Sequence, residues 1–329
     1  MENPLPRVCP RCGEPRILAP ECPRCGVLYA RAEARAAQLA SRPAPPAPAE
    51  PQVPLTPAGM SWHGEEEEAR SELRLRLFAL PVALAVAWLL VQSPLWGRLM
   101  RIFLSMWIHE LGHAVTAWFC GFPSFPGPWV THTDEERSTF LFLLLATLFA
   151  ATGLRGYLTR SRLLMIAGAT ALVLQFVGTG VLSPGKARML ISFGGDAGCL
   201  VLGSLLMTTL YAHRHSKLRQ GSLHWGYLAI GAAAFMDAFS QWWAARSDPE
   251  RIPFGHIEGV GLSDASKLVD VHGWSESELI RRYTWLGLAC LAALAVLYAV
   301  GLSHARARLR ADGQRLRTSG ARARLGARV

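Results

Sequence analysis

From residue 77 onward, the chain carries seven apolar stretches, each close to the length that crosses a bilayer. A helix needs about 20 residues to span the hydrocarbon core. Lipid cannot satisfy open backbone groups, and the alternation of a barrel strand is absent, so these stretches predict helices. We place them at residues 77–96, 99–120, 139–156, 162–182, 188–212, 223–245 and 283–303. The predicted fold is an all-α polytopic membrane protein with six to seven transmembrane helices.

The charge of the chain is concentrated at its C-terminal end. Although 51% of the residues are hydrophobic and only 18% are charged, the formal net charge is +10. After Ser303, the tail holds eight arginines and a single acid, Asp312. Beside membrane spans, such a tail fixes topology or contacts anionic lipid more often than it binds nucleic acid. We therefore expect membrane lipid as a partner, and no nucleic acid.

Composition divides the chain into four parts. Residues 1–40 form a cysteine-bearing head that ends in a short helix rich in alanine, arginine and glutamate. Residues 41–70 form a Pro/Ala-rich linker, because seven prolines between positions 41 and 58 favour an extended spacer. Residues 71–305 form the transmembrane domain, and residues 306–329 form the Arg-rich tail.

The head repeats one short motif, Cys-Pro-Arg-Cys-Gly, at residues 9–13 and 22–26. Each turn directs two thiolates at one metal ion, and the glycine after it permits a tight backbone. Four cysteines leave a tetrahedral zinc ion no open position, which predicts a structural zinc ribbon. The predicted ligands are Cys9, Cys12, Cys22 and Cys25. A redox dithiol is the alternative, but the strand–helix pattern of a redox fold is missing.

The ribbon is expected in the cytoplasm, with a protein as its partner. No signal peptide precedes the cysteines, and a reducing compartment keeps thiols free. With seven spans, the basic connections lie on the same side as the Arg-rich tail, and the positive-inside rule places that side in the cytoplasm. Seven full spans would put the ribbon outside, so we expect that one segment does not cross completely. The connections that set this side contain Arg98, Arg101, Arg155, Arg160, Arg162, Arg214, Lys217 and Arg219.

The second predicted span contains His109, Glu110 and His113. Two histidines four residues apart project from one face of a helix, where both imidazoles can bind one zinc ion. Glu110 stands beside them as a general base for a water that the metal acidifies. Three ionisable groups within five residues of a span are expensive to keep without a role. The motif therefore predicts a metal site within the membrane.

Three segments carry a family resemblance that covers about residues 77–303. Residues 108–114, Ile-His-Glu-Leu-Gly-His-Ala, resemble the active-site helix of the site-2 protease family of intramembrane zinc metalloproteases. The glycine-rich residues 193–198 are similar to a small-residue helix of that family. Residues 262–268, Leu-Ser-Asp-Ala-Ser-Lys-Leu, resemble a segment of its bacterial B-like branch. The resemblance implies an integral protein of the bacterial inner membrane.

A catalytic zinc ion normally has three protein ligands and one open position. The family's order implies that an aspartate well downstream of the histidines supplies the third ligand. We favour Asp264, which lies in the matching segment, and keep Asp196, a lone carboxylate inside a span, as the alternative. His256 and His272 are expected to be loop residues.

The resemblance implies an enzyme that cleaves peptide bonds of transmembrane protein substrates, as in regulated intramembrane proteolysis. It would use two zinc ions, one catalytic and one structural. The main alternative is a catalytically inactive membrane scaffold that binds metal and recruits partners through its ribbon and basic tail. A zinc transporter is a third reading, but it requires several intramembrane ligands along a path.

Overall fold

The computed structural model describes residues 8–9, 11–40, 60–212, 216–257 and 261–326. The chain divides into two compact units, Met1–Gly64 and Glu65–Val329. The proline-rich part of the predicted linker, residues 41–58, lies outside the described residues.

The first unit consists of two similar turns followed by a short helix. In each turn, the glycine after the second cysteine donates its N–H to the carbonyl of the first cysteine. Gly13 and Gly26 adopt φ of 73° and 65°, which non-glycine residues rarely adopt. Helix α1, Tyr29–Ala40, follows directly. The repeated sequence therefore folds into a repeated local structure.

The second unit is mostly helical, with two short hairpins. Its helices are α2 (Met60–Gln92, which begins in the first unit), α3 (Pro94–Met100), α4 (Met106–Phe119), α5 (Thr139–Leu158), α6 (Arg162–Phe176), α7 (Pro184–Thr208), α8 (Lys217–Gln220), α9 (Leu223–Ala245), α10 (Asp264–Ser266) and α11 (Glu276–Gly326). Strands β1 (Ser124–Pro126) and β2 (Thr131–Thr133) pair antiparallel, as do β3 (His256–Ile257) and β4 (Gly261–Leu262). Turns of π-helix occur at Arg101–Ser105, Val177–Val181 and Lys267–Val271.

Five helices in the described part of the chain are long and apolar enough to cross a membrane. They cover Glu67–Gln92, Thr139–Leu158, Arg162–Val181, Pro184–Tyr211 and Glu276–Ala311. The other two predicted spans, 99–120 and 223–245, are helical but do not meet that criterion. Both carry polar and ionisable residues, among them His109, Glu110 and Asp237, which lower their hydropathy. The prediction of a helical membrane protein is therefore supported. The number of candidate spans in the described residues is five, fewer than the six to seven expected.

Helices α4, α7 and α9 form the centre of this unit through contacts between glycines. A Cβ on Gly112 of α4 would lie 2.3 Å from the carbonyl oxygen of Gly194 on α7. A Cβ on Gly231 of α9 would lie 2.5 Å from the carbonyl oxygen of Gly203, also on α7. Small residues let membrane helices approach this closely. The glycine-rich stretch of α7 therefore brings the backbone of α4 against it.

Two of the basic residues in the connections pair with partners at different levels along α9. Arg219 pairs with Glu72 near the first residues of α9, at 2.6 Å between Nη2 and Oε2. Arg101 instead pairs with Asp237, just past the middle of α9, at 3.2 Å between Nε and Oδ2. Because α9 has 23 residues, its ends lie about 35 Å apart. Arg101 thus lies about 20 Å further along α9 than Arg219 does.

Candidate metal centre

Helix α4 presents His109, Glu110 and His113 in the interior of the protein. Glu110 is 5% exposed and His113 is 8% exposed. A π-helical turn, Arg101–Ser105, immediately precedes α4. Such turns occur frequently at functional sites of helical proteins. The motif therefore consists of buried polar side chains on α4. The π-helical turn before α4 sets which face of the helix these side chains occupy.

Asp264, at the start of α10, meets both histidines. Its Oδ2 lies 3.1 Å from Nε2 of His109 and 2.9 Å from Nε2 of His113. The two Nε2 atoms are 3.1 Å apart. A tetrahedral zinc ion with bonds of ~2.0–2.1 Å separates its donor atoms by about 3.3 Å. The three atoms therefore have the chemistry and nearly the spacing of a zinc ligand set.

The hydrogen bonds of the two Nδ1 atoms show where the lone pairs of the two Nε2 atoms point. Nδ1 of His113 lies 2.6 Å from the carbonyl oxygen of Ile191, and Nδ1 of His109 lies 3.1 Å from Oδ1 of Asp196. A carbonyl and a carboxylate only accept hydrogen bonds, so both Nδ1 atoms donate. In neutral imidazoles, both Nε2 atoms then carry lone pairs directed at the Asp264 carboxylate. Three converging lone pairs require a cation, and a metal ion fits that requirement.

The charge of Asp264 agrees with a ligand role. Burial alone would raise the pKa of this carboxyl, but His113 and His109 in their protonated forms, with no metal ion between them, outweigh burial and hold its pKa well below the usual range. Asp264 is therefore ionised, as a metal ligand must be. Nζ of Lys267 lies 3.7 Å from the other carboxylate oxygen, Oδ1. One oxygen of Asp264 thus faces the histidines while the second faces a lysine.

Gly195 of α7 has no side chain, and the two imidazole rings occupy the space that a side chain there would fill. A Cβ on Gly195 would lie 2.6 Å from Nε2 of both His109 and His113. Any side chain at this position would therefore displace the candidate ligand atoms themselves. The sequence showed the glycines of α7 but not that one of them borders the site.

Asp196 lies on the far side of the His109 ring from Asp264. Its Oδ1 accepts from Nδ1 of His109, and its Oδ2 accepts from Nε1 of the buried Trp242, at 2.8 Å. A carboxylate bonded to the other nitrogen of a ligating histidine fixes the orientation of the ring. His109, Asp196 and Cys199 also lie close enough to form a second possible ligand group. However, the bonds of Asp196 to His109 and Trp242 favour an orienting role.

Glu110 faces Thr131, a residue that sequence reasoning missed. The Thr131 hydroxyl lies 2.7 Å from Oε2 of Glu110 and 2.8 Å from its backbone oxygen. Thr131 begins strand β2, and the β1–β2 hairpin packs against α4. No local signal marks this residue, since the contact depends on how the hairpin folds back onto the helix.

A cavity of about 730 Å³ opens onto the site. Its walls combine the α4 motif, the β1–β2 hairpin, the first half of α7 and the segment from Leu262 to His272. Among the lining residues, Glu135 and Arg188 bring charge to the cavity, and Phe122 and Trp129 bring aromatic surface. His272 lines the cavity outside the ligand group, and His256 lies in strand β3. The motif therefore borders an open cavity rather than a closed core.

The four N-terminal cysteines form a second, separate cluster. The sulfur atoms of Cys9 and Cys25 are 3.8 Å apart, and those of Cys12 and Cys22 are 3.6 Å apart. A zinc ion with bonds of ~2.3 Å separates its sulfur ligands by about 3.8 Å. All four sulfurs lie within 4.8 Å of one another. This cluster could form a zinc ribbon.

The acidities of the cysteines show why the cluster needs a cation. Burial alone would raise the pKa of Cys22, but the backbone N–H groups of Cys25 and Arg24 lower it to about 6. The Glu14 backbone lowers the pKa of Cys12, but burial and the three neighbouring sulfurs raise it to about 12. One sulfur is therefore ionised at neutral pH, while a second stays protonated until a metal ion compensates the charge.

We expect the two aspartates to differ in what they do for the metal. Replacing Asp264 by asparagine removes a candidate ligand, whereas Asp196→Asn removes only the partner of His109. A lost orienting partner costs roughly 10- to 100-fold in metal affinity, and a lost ligand should cost more. Zinc competition with a chelator measures both affinities. A larger loss for Asp196→Asn than for Asp264→Asn would make Asp196 the ligand.

Comparison with protein-family models, curated proteins and solved structures returns no match for the chain. The description of the molecule therefore rests on its own residues. It is a mostly helical protein with five candidate membrane spans, and one cysteine cluster and one His/Asp cluster could each hold a metal ion.

Proposed function

We propose that the chain is an intramembrane zinc metalloprotease that cleaves peptide bonds of membrane-embedded protein substrates. One observation carries the proposal: three candidate ligand atoms converge beside a buried glutamate, at the wall of a large cavity. The resemblance of residues 108–114 and 262–268 to site-2 proteases supports the same reading. By that resemblance, the protein belongs in a bacterial inner membrane, and the four free cysteines favour the reducing cytoplasm for its zinc ribbon.

His109, His113 and Asp264 would hold the ion. A zinc ion there supplies Lewis-acid chemistry, since it acidifies water and polarises a carbonyl group. The His109 and His113 rings are held by Asp196 and by the Ile191 carbonyl, so their Nε2 atoms stay directed at one point. This fixed geometry is what a catalytic site requires, because small displacements of reacting groups cost rate.

Glu110 would move the proton. Its carboxylate takes a proton from the attacking water as general base and then delivers it to the leaving amine as general acid. The Thr131 hydroxyl donates to Oε2 of Glu110 and so restricts the rotation of that carboxylate. The motif places Glu110 directly beside His109 in the sequence, so the base and the two histidine ligands share one rigid helix.

Cleavage should depend on zinc. We expect the purified full-length protein to cleave a reporter membrane segment, to lose this activity on chelation and to regain it when zinc is added back. The ribbon binds zinc as well, so the same titration is repeated on a Cys22→Ser variant. Restored cleavage in that variant assigns the zinc dependence to the His/Asp cluster.

Two results would contradict the proposal. If cleavage persists after the zinc content falls below one ion in ten chains, roughly, the reaction does not use the metal. If a zinc-loaded protein cleaves no membrane segment while its cellular role survives Glu110→Gln, the chain is the inactive metal-binding scaffold instead.

A further inference from the structure

A second large cavity, separate from the metal centre, lies between the end of α2, helix α3 and the last turns of α9. Its volume is about 840 Å³, and it shares no lining residue with the cavity at the motif. Arg98, Arg101 and Arg251 line it together with one carboxylate, Asp237. Three guanidinium groups against one carboxylate leave the lining with two excess positive charges. A cavity of this charge attracts an anion.

The three arginines differ in how far they are already engaged. Arg101 bonds to Asp237 at 3.2 Å and to Oε1 of Gln241 at 2.7 Å. Arg251 pairs with Asp248 at 3.2 Å, but this pair is solvent-exposed and therefore weak. Arg98 is exposed and has no ion pair or hydrogen bond to any residue that the structure describes. Arg98 and Arg251 are thus available to a ligand, while Arg101 is held in place by α9.

The surroundings of the cavity place it at the depth of lipid headgroups. It lies where α2, a candidate span, ends at Gln92. Two exposed tryptophans, Trp88 and Trp243, line it. Tryptophan concentrates at membrane–water interfaces, where its ring lies at headgroup level. Beside the cavity, α3 exposes Leu95 and Leu99, which would face acyl chains.

We propose that this cavity binds a phosphate-bearing anion, with an anionic phospholipid headgroup as its source. Guanidinium groups match phosphate oxygens through paired hydrogen bonds, and basic pockets between membrane helices bind lipid headgroups. A water-soluble phosphate would use the arginines but not the exposed tryptophans and leucines. The proposal is independent of proteolysis, because it uses no residue of the metal centre.

The test measures lipid binding to the purified full-length protein in a neutral detergent by native mass spectrometry. The probe is phosphatidylglycerol, compared with zwitterionic phosphatidylcholine. We expect the wild type to bind one phosphatidylglycerol in preference, and an Arg98→Gln/Arg251→Gln variant to bind it at least roughly tenfold more weakly. The matched control is Arg155→Gln/Arg160→Gln, which removes the same charge from the α5–α6 connection and should keep wild-type affinity.

Three outcomes would overturn the proposal. Equal phosphatidylglycerol affinity of the wild type and the Arg98→Gln/Arg251→Gln variant would show that these arginines form no site. An equal loss in the control variant would show general attraction to charge. If inorganic phosphate binds the wild type as tightly as the lipid and displaces it, the source is a soluble phosphate. Far-UV circular dichroism and a melting curve of each variant ensure that folded proteins are compared.

Discussion

Replacing Glu110 by glutamine is expected to reduce reporter cleavage by roughly 10²- to 10⁴-fold, the contribution of a positioned general base. Glutamine has nearly the shape of glutamate, and its side-chain oxygen can still accept the Thr131 hydroxyl. It cannot take a proton from water. The candidate ligand atoms belong to His109, His113 and Asp264, so the zinc content of the His/Asp cluster should be unchanged.

The measurement pairs cleavage rate with zinc content on the same preparation. Glu135→Gln is the matched control, because Glu135 lines the same cavity, undergoes the same chemical change and lies outside the ligand group. Its cleavage rate should stay near that of the wild type. Full activity in Glu110→Gln would remove Glu110 from the mechanism. A parallel loss of zinc would instead show that Glu110 supports the metal cluster.

The local part of the site could be predicted because it follows from helical spacing alone. Residues four apart on a helix share a face, so His109 and His113 were expected to meet, and their Nε2 atoms do meet. The two Cys-x-x-Cys pairs, Cys9 with Cys12 and Cys22 with Cys25, are equally local, since each pair lies within one tight turn. The structure brings all four sulfurs together, and this required only that two similar turns face each other.

The distant part of the site could not be derived from spacing. Asp264 lies 151 residues from His113, and only a resemblance singled it out in advance. For Asp196, sequence position could not decide between ligand and orienting partner, because the answer depends on which ring nitrogen it faces. Thr131 and Gly195 carry no signal of their own. Their roles exist only once the hairpin and α7 pack against α4.

Two of the seven predicted spans, now α4 and α9, fall outside the five candidate spans for a physical reason. Helices α4 and α9 each bury one face against α7, so they can carry Glu110 and Asp237, which are costly where a helix faces lipid. Their composition is therefore less apolar than that of α5 or α6. Arg101 pairs with Asp237, so its charge is partly neutralised by another helix of the protein. Counting charges assumes that each one faces the aqueous phase.

Replacing Cys22 by serine is expected to unfold the ribbon and to release one zinc ion per chain. The buried core of this unit consists of Cys9, Cys22 and Tyr29, with Cys12, Cys25 and Val27 packed against it. Four of these six residues are the candidate ligands themselves, so little apolar surface remains to stabilise the fold without metal. Binding of a structural zinc supplies about 10–16 kcal/mol in small domains, and here it would supply most of the folding free energy.

Hydrogen exchange on the full-length protein measures this loss directly. The amides of Cys9, Gly13, Cys22 and Gly26 are hydrogen-bonded within the two turns, and they should exchange at the rate of unfolded chain in Cys22→Ser. Cys290→Ser is the control, because Cys290 lies in α11 outside the cluster, and it should keep both the zinc and the protection. Protection retained in Cys22→Ser at reduced zinc content would mean that backbone hydrogen bonds and Tyr29 suffice to fold the turns. The four cysteines would then bind metal onto a preformed scaffold, and zinc would not be what folds the ribbon.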